Sequence, residues 1–512
     1  MEHFINLWDT MIEFMHSINF TQIFNWILIG LFIINFLLVL SIIFLERRTA
    51  MATWAWILVL FFIPIVGFII YLLFGRTIYK QQIFKNEEFL PIIKKDVETQ
   101  LEDLKDNSLS FGNPTINRHD QLARLLLNNN NSFITTHNDI TLFTDGHNKF
   151  TQLKRDIMNA KHHIHVQYYI FKMDELGKSI YELLVEKQRQ GVHVRILYDD
   201  LGSRTLYYQN FKELIKLGGQ VERFFPSWFP IINTRMNHRN HRKIVVIDGI
   251  IGYVGGFNVG DEYLGTHKKF GYWRDNHLRI TGETVRALQY RFTTDWNSHH
   301  KHRKLILDKN YCPEIHHAEH TRNITPIQIG TSGPDEPWEQ IKYGYLKMIT
   351  SAKQSVYIQT PYFIPDQSFL DAIKLVAMSG VEVNIMIPNK PDHPLVYWGT
   401  YYNVGELLDT NANIYIYEKG FLHAKTLVID GEVSSIGTAN FDNRSFALNF
   451  EINAFVYDKQ LAEETLEAYE EDIKHSTKLT KEMYNERSFI IKCKEALSLI
   501  HISEPTRRRG IS

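Results

Sequence analysis

One short pattern occurs twice in this 512-residue chain, and it limits what the chain can fold into. Residues 241–248 read HRKIVVID and residues 423–430 read HAKTLVID. His241, Lys243 and Asp248 therefore recur as His423, Lys425 and Asp430. At the same offset each copy reaches a small-residue turn ending in Asn: Gly255-Gly256-Phe257-Asn258 and Gly437-Thr438-Ala439-Asn440. One H-x-K-x4-D is weak evidence, but two copies with matching turns imply a duplicated unit. His and Lys alternate, so on an extended chain they share a face. The β-branched run after each Lys reads as a buried strand.

The repeat extends beyond the motifs. Residues 162–200 and 355–388 both read as strand, turn, amphipathic helix, Gly, strand, with Gln167 and Gln359 at like positions. A β-α-β unit used twice predicts two α/β lobes, each with a largely parallel sheet, forming one pseudo-twofold catalytic unit. The first lobe is expected over 132–309 and the second over 325–484. Residues 75–131 and 310–324 are expected as linkers, and 485–496 as a C-terminal segment. His316, His317 and His320 lie in the second linker. No Cys pair or carboxylate spacing accompanies them, so a solvated loop is expected there rather than a metal site.

Two facing copies would surround one anion with two imidazoles and two ammoniums. Phosphoryl transfer needs this set: a nucleophile, an acid for the leaving group, and fixed positive charge on the non-bridging oxygens. Lysines can supply that charge, so no metal or other cofactor is expected. The side chains of Asn258 and Asn440 and the backbone N–H groups around Gly255, Gly256 and Gly437 can add substrate-binding hydrogen bonds. Asp248 and Asp430 are expected to support the site, pairing with the lysines or closing the motif. Asp275 in YWRDNHLRI and Glu451 in LNFEINAFV follow the two motifs on strand-like segments. Asp261, Asp442, Arg444 and Arg274 are further polar candidates.

On these motifs the chain resembles the phospholipase D superfamily, whose signature is a duplicated HKD motif. In that superfamily a carboxylate at the place of Asp275 and Glu451 orients the imidazole. The segments WAWILVLFFIPIVGFIIYLLFGR, YWRDNHLRI, IQTPYFIP and GTANFDNRSFALNFE are similar to those of the bacterial cardiolipin synthases. The resemblance covers about residues 23–496. It implies a membrane-bound phosphatidyltransferase that converts two phosphatidylglycerols to cardiolipin and glycerol through a phosphatidyl-histidine. By the same analogy His241 is the nucleophile and His423 the acid/base, although the near-symmetric motifs leave the reverse open. The same residues with water or another alcohol as acceptor would make a hydrolase or a phosphatidyl exchanger. A tethered nuclease and a non-catalytic scaffold are the remaining readings.

Residues 23–45 and 54–74 carry no charge, and each is long enough to cross a hydrocarbon core of about 30 Å. With only ERRTAMAT between them, they predict a two-helix transmembrane hairpin. Basic residues Arg76, Lys80, Lys85, Lys94 and Lys95 follow the second segment, which predicts a cytoplasmic catalytic domain and a multi-pass cell-membrane protein. Residues 1–22 place apolar side chains at near-helical spacing opposite Glu2, Asp9 and Glu13, which fits an interfacial amphipathic helix or, given the acidic face, equally a helix packed on the enzyme. Two cysteines fit a reducing compartment. A net charge of −1 leaves no footprint for a nucleic-acid partner, and the oligomeric state is not legible. Residues 497–512 contain LSLIHISEPTR, which looks like a translated sequencing adapter. They are set aside as a non-native tail.

Overall fold

The computed structural model describes residues 20–45, 50–63, 66, 67, 71, 91–105, 113–226, 238–298, 304–313, 324–390, 392 and 394–502. The chain divides into an N-terminal helical unit and a much larger body. In the first unit, the 26-residue helix Phe20–Leu45 contains Phe24–Ile42, the one stretch among the described residues long and apolar enough to cross a membrane. A shorter helix, Ala50–Phe62, follows. Its Trp56 and Leu60 pack with Ile42 and Tyr71. The expected second span at 54–74 lies partly outside the described residues, as does most of the expected interfacial helix at 1–22.

Among the described residues the body holds two large sheets and two small two-stranded ones. The first lobe supplies β1 (Asn138–Phe143), β2 (His163–Tyr168), β3 (His193–Asp199), β4 (Gln220–Phe224), β5 (Ile244–Ile247), β6 (Ile251–Gly255), β7 (Tyr272–Arg274) and β8 (His277–Gly282). The second supplies β9 (Ile327–Ser332), β10 (Ser355–Gln359), β11 (Phe363–Ile364), β12 (Glu382–Pro388), β13 (Ala412–Tyr417), β14 (Gly420–Leu422), β15 (Thr426–Ile429), β16 (Val433–Gly437), β17 (Phe441–Asp442), β18 (Glu451–Val456) and β19 (Ser476–Lys478). The orders of the large sheets are β4-β3-β2-β5-β6-β8-β1 and β13-β12-β10-β15-β16-β18-β9, with β19 added at the edge of the second, and the small sheets are β11-β17 and β7-β14. The two lobes thus repeat strand for strand.

The sheets are mixed, which corrects the expectation of largely parallel ones. Within the two large sheets only β2, β3 and β4, and their counterparts β10, β12 and β13, run parallel. The motif strands β5 and β15 run antiparallel to both neighbours. The reason is local. Asp248-Gly249 and Asp430-Gly431 all adopt positive φ. Ile250 N–H closes the first turn on Ile247 O at 3.1 Å, and Glu432 N–H closes the second on Ile429 O at 2.9 Å. Two adjacent positive φ values make the type I′ hairpin turn that Asp-Gly favours.

Helices flank both sheets on their outer sides. Gly146–Asn159 and Glu175–Arg189 pack on the first, and Gln340–Ser351 and Gln367–Met378 on the second. Between the sheets lies a shared core, in which Ile244, Val246, Val254 and Leu278 meet Ile329, Ile436, Ile452 and Val456. Apolar burial of this kind is worth roughly 1.5–3 kcal/mol per large side chain. Of the segment expected as a linker, residues 91–105 and 113–131 are described, and both contain helices. Helix Asp120–Asn130 sends Leu122, Ala123 and Leu126 into the second lobe's core, where they pack with residues such as Ile341 and Tyr345. Of the second linker, 314–323 lies outside the described residues.

Asp248 and Asp430 fix the hairpins to the sheet. The Asp248 carboxylate accepts the backbone N–H groups of Lys161, His162 and His163 at 2.7–2.9 Å. Asp430 does the same for Lys353, Gln354 and Ser355. Each Asp sits at the far end of its motif strand, five residues and about 16 Å of extended chain from the lysine. The expected pairing with the lysines is therefore corrected: both aspartates hold the start of the neighbouring strand. Replacing Asp430 by Ala should cost about 1–3 kcal/mol, because three backbone donors lose a charged acceptor. Chemical denaturation against wild type measures this.

Candidate active site

Each H-x-K segment enters its strand by docking on the other lobe. His241 N–H donates to Phe450 O at 2.9 Å, and His423 N–H donates to Arg274 O at 2.7 Å. Strand β14, just before His423, pairs in parallel with β7 of the first lobe. Gly420 permits that approach, since a Cβ there would stand 1.9 Å from Tyr272 O.

This docking places each carboxylate on the opposite lobe's imidazole. His241 Nδ1 donates to Glu451 Oε2 at 2.9 Å, and His423 Nδ1 donates to Asp275 Oδ2 at 2.5 Å. Both carboxylates are fully buried, while the imidazole side chains keep 12% and 11% exposure. With Nδ1 engaged, Nε2 is the nitrogen left for chemistry. Glu451 also accepts from Thr438 Oγ1 at 2.6 Å and Asn449 Nδ2 at 3.2 Å. Asp275 accepts the Asn276 N–H at 2.8 Å.

Burial governs the charges. By itself it would raise the Glu451 and Asp275 carboxyls. The nearby His241 and Lys243 hold Glu451 below the ordinary carboxylate range, and Lys425 and His423 do so for Asp275. Burial lowers both imidazoles, against the pull of their carboxylates. His241 falls below its usual value, and His423 drops to about 4. Both rings are therefore neutral, and nucleophilic, near pH 7. Burial also lowers Lys243 to about 7 and Lys425 to about 8. Each ammonium donates to its own motif's backbone, Lys243 to His241 O at 2.6 Å and Lys425 to His423 O. Two lysines, their charge matched by two carboxylates, flank two neutral imidazoles, whose protonation an arriving anion would favour.

The turn residues behave otherwise than expected. Gly256 N–H bonds Asn276 O, Thr438 N–H bonds Ile452 O, and Ala439 N–H bonds Asn453 Oδ1. These amides are used within the sheets, so the glycine turns do not offer them to a substrate. Gly255 and Gly437 lie in the strands β6 and β16, paired with His277 and Asn453. Gly256 has a different task. A Cβ there would stand 2.0 Å from Asp275 Oδ1, so its bare backbone makes room for the carboxylate. Asn258 is occupied at both ends of its amide, accepting from Ile170 N–H and donating to Tyr263 Oη, each at 3.1 Å. Asn440 is buried, with an Oδ1 that has no partner among the described residues.

Of the layer beneath the imidazoles, sequence reasoning singled out Arg274, Gln167 and Gln359 but missed Arg242, Asp295 and Asp472. Arg242, between His241 and Lys243, points to the opposite face, into Asp295 at 2.6 Å. It also donates to the carbonyls of Glu451 and Ser332 across the lobe boundary. In the second half Arg274 crosses to Asp472 at 2.7 Å. Gln167 and Gln359 bond the same two aspartates. The matched glutamines were the sequence signal for this layer, and their partners lie too far along the chain to be read from it.

Two imidazole–carboxylate pairs and two lysines, contributed crosswise by duplicated lobes, define a phosphodiester-transfer centre of the phospholipase D type. Comparison with known proteins narrows the class. A family model described as "Cardiolipin synthase, PLD-like domain" matches residues 153–296 and 345–473. A second, "Phospholipase_D-nuclease N-terminal", matches 33–76. Cardiolipin synthase 2 of Staphylococcus epidermidis is 55% identical over 477 residues, covering 93% of this chain and 97% of that protein. The major cardiolipin synthase of Bacillus subtilis is 52% identical over 468 residues, 91% and 96% of the two chains. The crystal structure of phosphatidylserine synthase from Haemophilus influenzae superposes with a TM-score of 0.57 at 16% identity, over 75% of this chain and 98% of that one, and so shares the fold. The chain belongs to the cardiolipin synthase family of the phospholipase D superfamily.

Gly256→Ala should displace Asp275 and release His423. The expected result is a loss of cardiolipin-forming turnover on the order of 100-fold, with the secondary structure intact by circular dichroism.

Proposed function

We infer that this protein is a membrane cardiolipin synthase: it transfers a phosphatidyl group between two phosphatidylglycerols, giving cardiolipin and glycerol. The observation that carries the reading is the crosswise pair of buried carboxylate–imidazole bonds with a lysine beside each. One phosphodiester becomes another, so the reaction needs no nucleotide.

The mechanism follows from the groups. The Nε2 of one imidazole attacks the donor phosphorus, and the bond to the glycerol oxygen breaks. The partner imidazole, which takes up a proton from solvent as the phosphodiester binds, gives that proton to the leaving oxygen, and a phosphatidyl-histidine remains. The same partner then takes the proton from a primary hydroxyl of the second phosphatidylglycerol as its oxygen bonds to phosphorus. Lys243 and Lys425 bear on the non-bridging oxygens. Glu451 and Asp275 keep the nitrogen geometry fixed and stabilise whichever ring is protonated. Water competes for the intermediate, and the burial of the site favours the lipid alcohol. A two-helix hairpin at 23–45 and 54–74, with the body on the cytoplasmic side, would confine enzyme and both lipids to one surface.

Purified protein in phosphatidylglycerol vesicles, without added nucleotide, tests the reading. Cardiolipin and glycerol should appear in equal amounts, and His241→Ala or His423→Ala should abolish both. Phosphatidic acid as the main product would make the protein a hydrolase. The lysines add a pH test. The free enzyme needs its ammoniums to attract the phosphodiester, and they deprotonate as pH rises through about 7 to 8. Thus kcat/KM should fall as pH rises through about 7 to 8. The bound anion favours the charged lysines, so the fall in kcat should come at higher pH.

A further inference from the structure

The last helix of the body, Phe489–Ile502, is amphipathic in the reverse of the usual sense. Its native part runs to about Ala496, before the tail set aside above. The side turned to the protein carries a charge: Glu495 is buried and pairs with Arg487 at 3.2 Å. The helix packs there on a second helix, Pro394–Gly405. The side turned outward is apolar. Phe489 and Ile490 are 80% and 66% exposed. Half-buried Cys493 and exposed Ala496, at i+4 and i+7 from Phe489, continue the stripe. Lys492 and Lys494 are both exposed, and at about 3.6 residues per turn they stand roughly a quarter turn to either side of it. Lys494 Nζ lies 5.4 Å over the ring of Trp398 on the second helix.

An apolar stripe bracketed by lysines fits one kind of surface. No acid lies on the stripe, since Glu495 is on the opposite side. A second copy docked symmetrically on the same face would therefore set lysine against lysine. An anionic bilayer accepts both features: apolar side chains enter the acyl boundary, and ammoniums meet the headgroup phosphates. The face is also connected to the reaction centre. On the helix Pro394–Gly405, Thr400 Oγ1 accepts the Phe363 N–H of β11 at 3.1 Å. Strand β11 pairs with β17, Phe363 opposite Phe441, directly after the turn of the second motif.

We propose that the outward face of this helix is a membrane-docking surface of the body, with Phe489 and Ile490 among the acyl chains of an anionic bilayer and Lys492 and Lys494 at its phosphates. The apolar span Phe24–Ile42 attaches the chain, and this face orients the body. The docking goes beyond the phosphatidyl-transfer reading, since it needs an anionic lipid surface and no particular reaction. For a lipid substrate it has a kinetic consequence. A body seated on the bilayer keeps its site at headgroup depth, where lipids arrive by lateral diffusion.

Spin labelling of the full-length protein tests the docking. With Cys493→Ser and Ile490→Cys, a nitroxide attaches at 490, because the other thiol, Cys312, is buried. In phosphatidylglycerol vesicles the label should collide with oxygen several-fold more than with a water-soluble nickel chelate. Adding Lys492→Glu and Lys494→Glu should reverse that preference. All variants carry the same C-terminal tail, so its arginines cancel in the comparison. A label that favours the chelate in the lysine-bearing protein overturns the proposal. So does spin–spin broadening between labels, which would put a second copy on the face. Turnover gives the second readout. Phe489→Ser with Ile490→Ser should lower cardiolipin formation on vesicles on the order of 10-fold and leave the rate on monomeric short-chain phosphatidylglycerol unchanged. Equal loss on both substrates, or loss on neither, overturns the orienting role. The spin-label readout needs no turnover, so it stands apart from the fate of the functional reading.

Discussion

Everything at this site depends on the backbone docking between lobes that puts each lobe's carboxylate under the other's imidazole. Neither lobe holds a complete oriented histidine. His241 needs Glu451, and His423 needs Asp275. The bonds His241 N–H to Phe450 O and His423 N–H to Arg274 O set the register just before each carboxylate. The pseudo-twofold repeat is therefore a catalytic requirement as well as a folding one. The lobes share a core and cross-lobe arginine contacts from Arg242 and Arg274, so the pairs are held rigidly without a ligand.

Burial sets the chemistry that this frame can perform. Desolvation keeps both imidazoles neutral and brings both lysines to the edge of deprotonation. An arriving phosphodiester favours the charged form of both lysines. The site is thus poised for an anion rather than permanently charged, and a low dielectric strengthens each contact once the anion is bound.

Much of this was legible in the sequence. The duplicated motif identified the histidines and lysines, and the matched strand–helix–strand segments foretold two like lobes. Asp275 and Glu451 were visible as acids on strands after each motif, but their crosswise delivery was not, because periodicity carries no information about which lobe a strand faces. The sheet direction was misread through a local signal: Asp248-Gly249 and Asp430-Gly431 each encode a hairpin that turns the motif strand antiparallel. The same signal explains why those aspartates serve the fold. The glycine turns looked like phosphate-binding loops, yet their amides are consumed by sheet pairing. Residues 120–130 were expected as linker, because the apolar run of Leu122, Ala123 and Leu126 does not tell that its partners are Ile341 and Tyr345 of the second lobe.

Crosswise orientation is the central claim, and imidazole NMR reads it most directly. In protein labelled at histidine, the Nδ1 protons of His241 and His423 should resonate far downfield, as expected for short bonds to carboxylates. Glu451→Gln should move the His241 signal and leave that of His423 in place, and Asp275→Asn should do the reverse. If each substitution instead perturbs the histidine of its own lobe, or neither signal moves, the account of a site assembled across the lobes is contradicted.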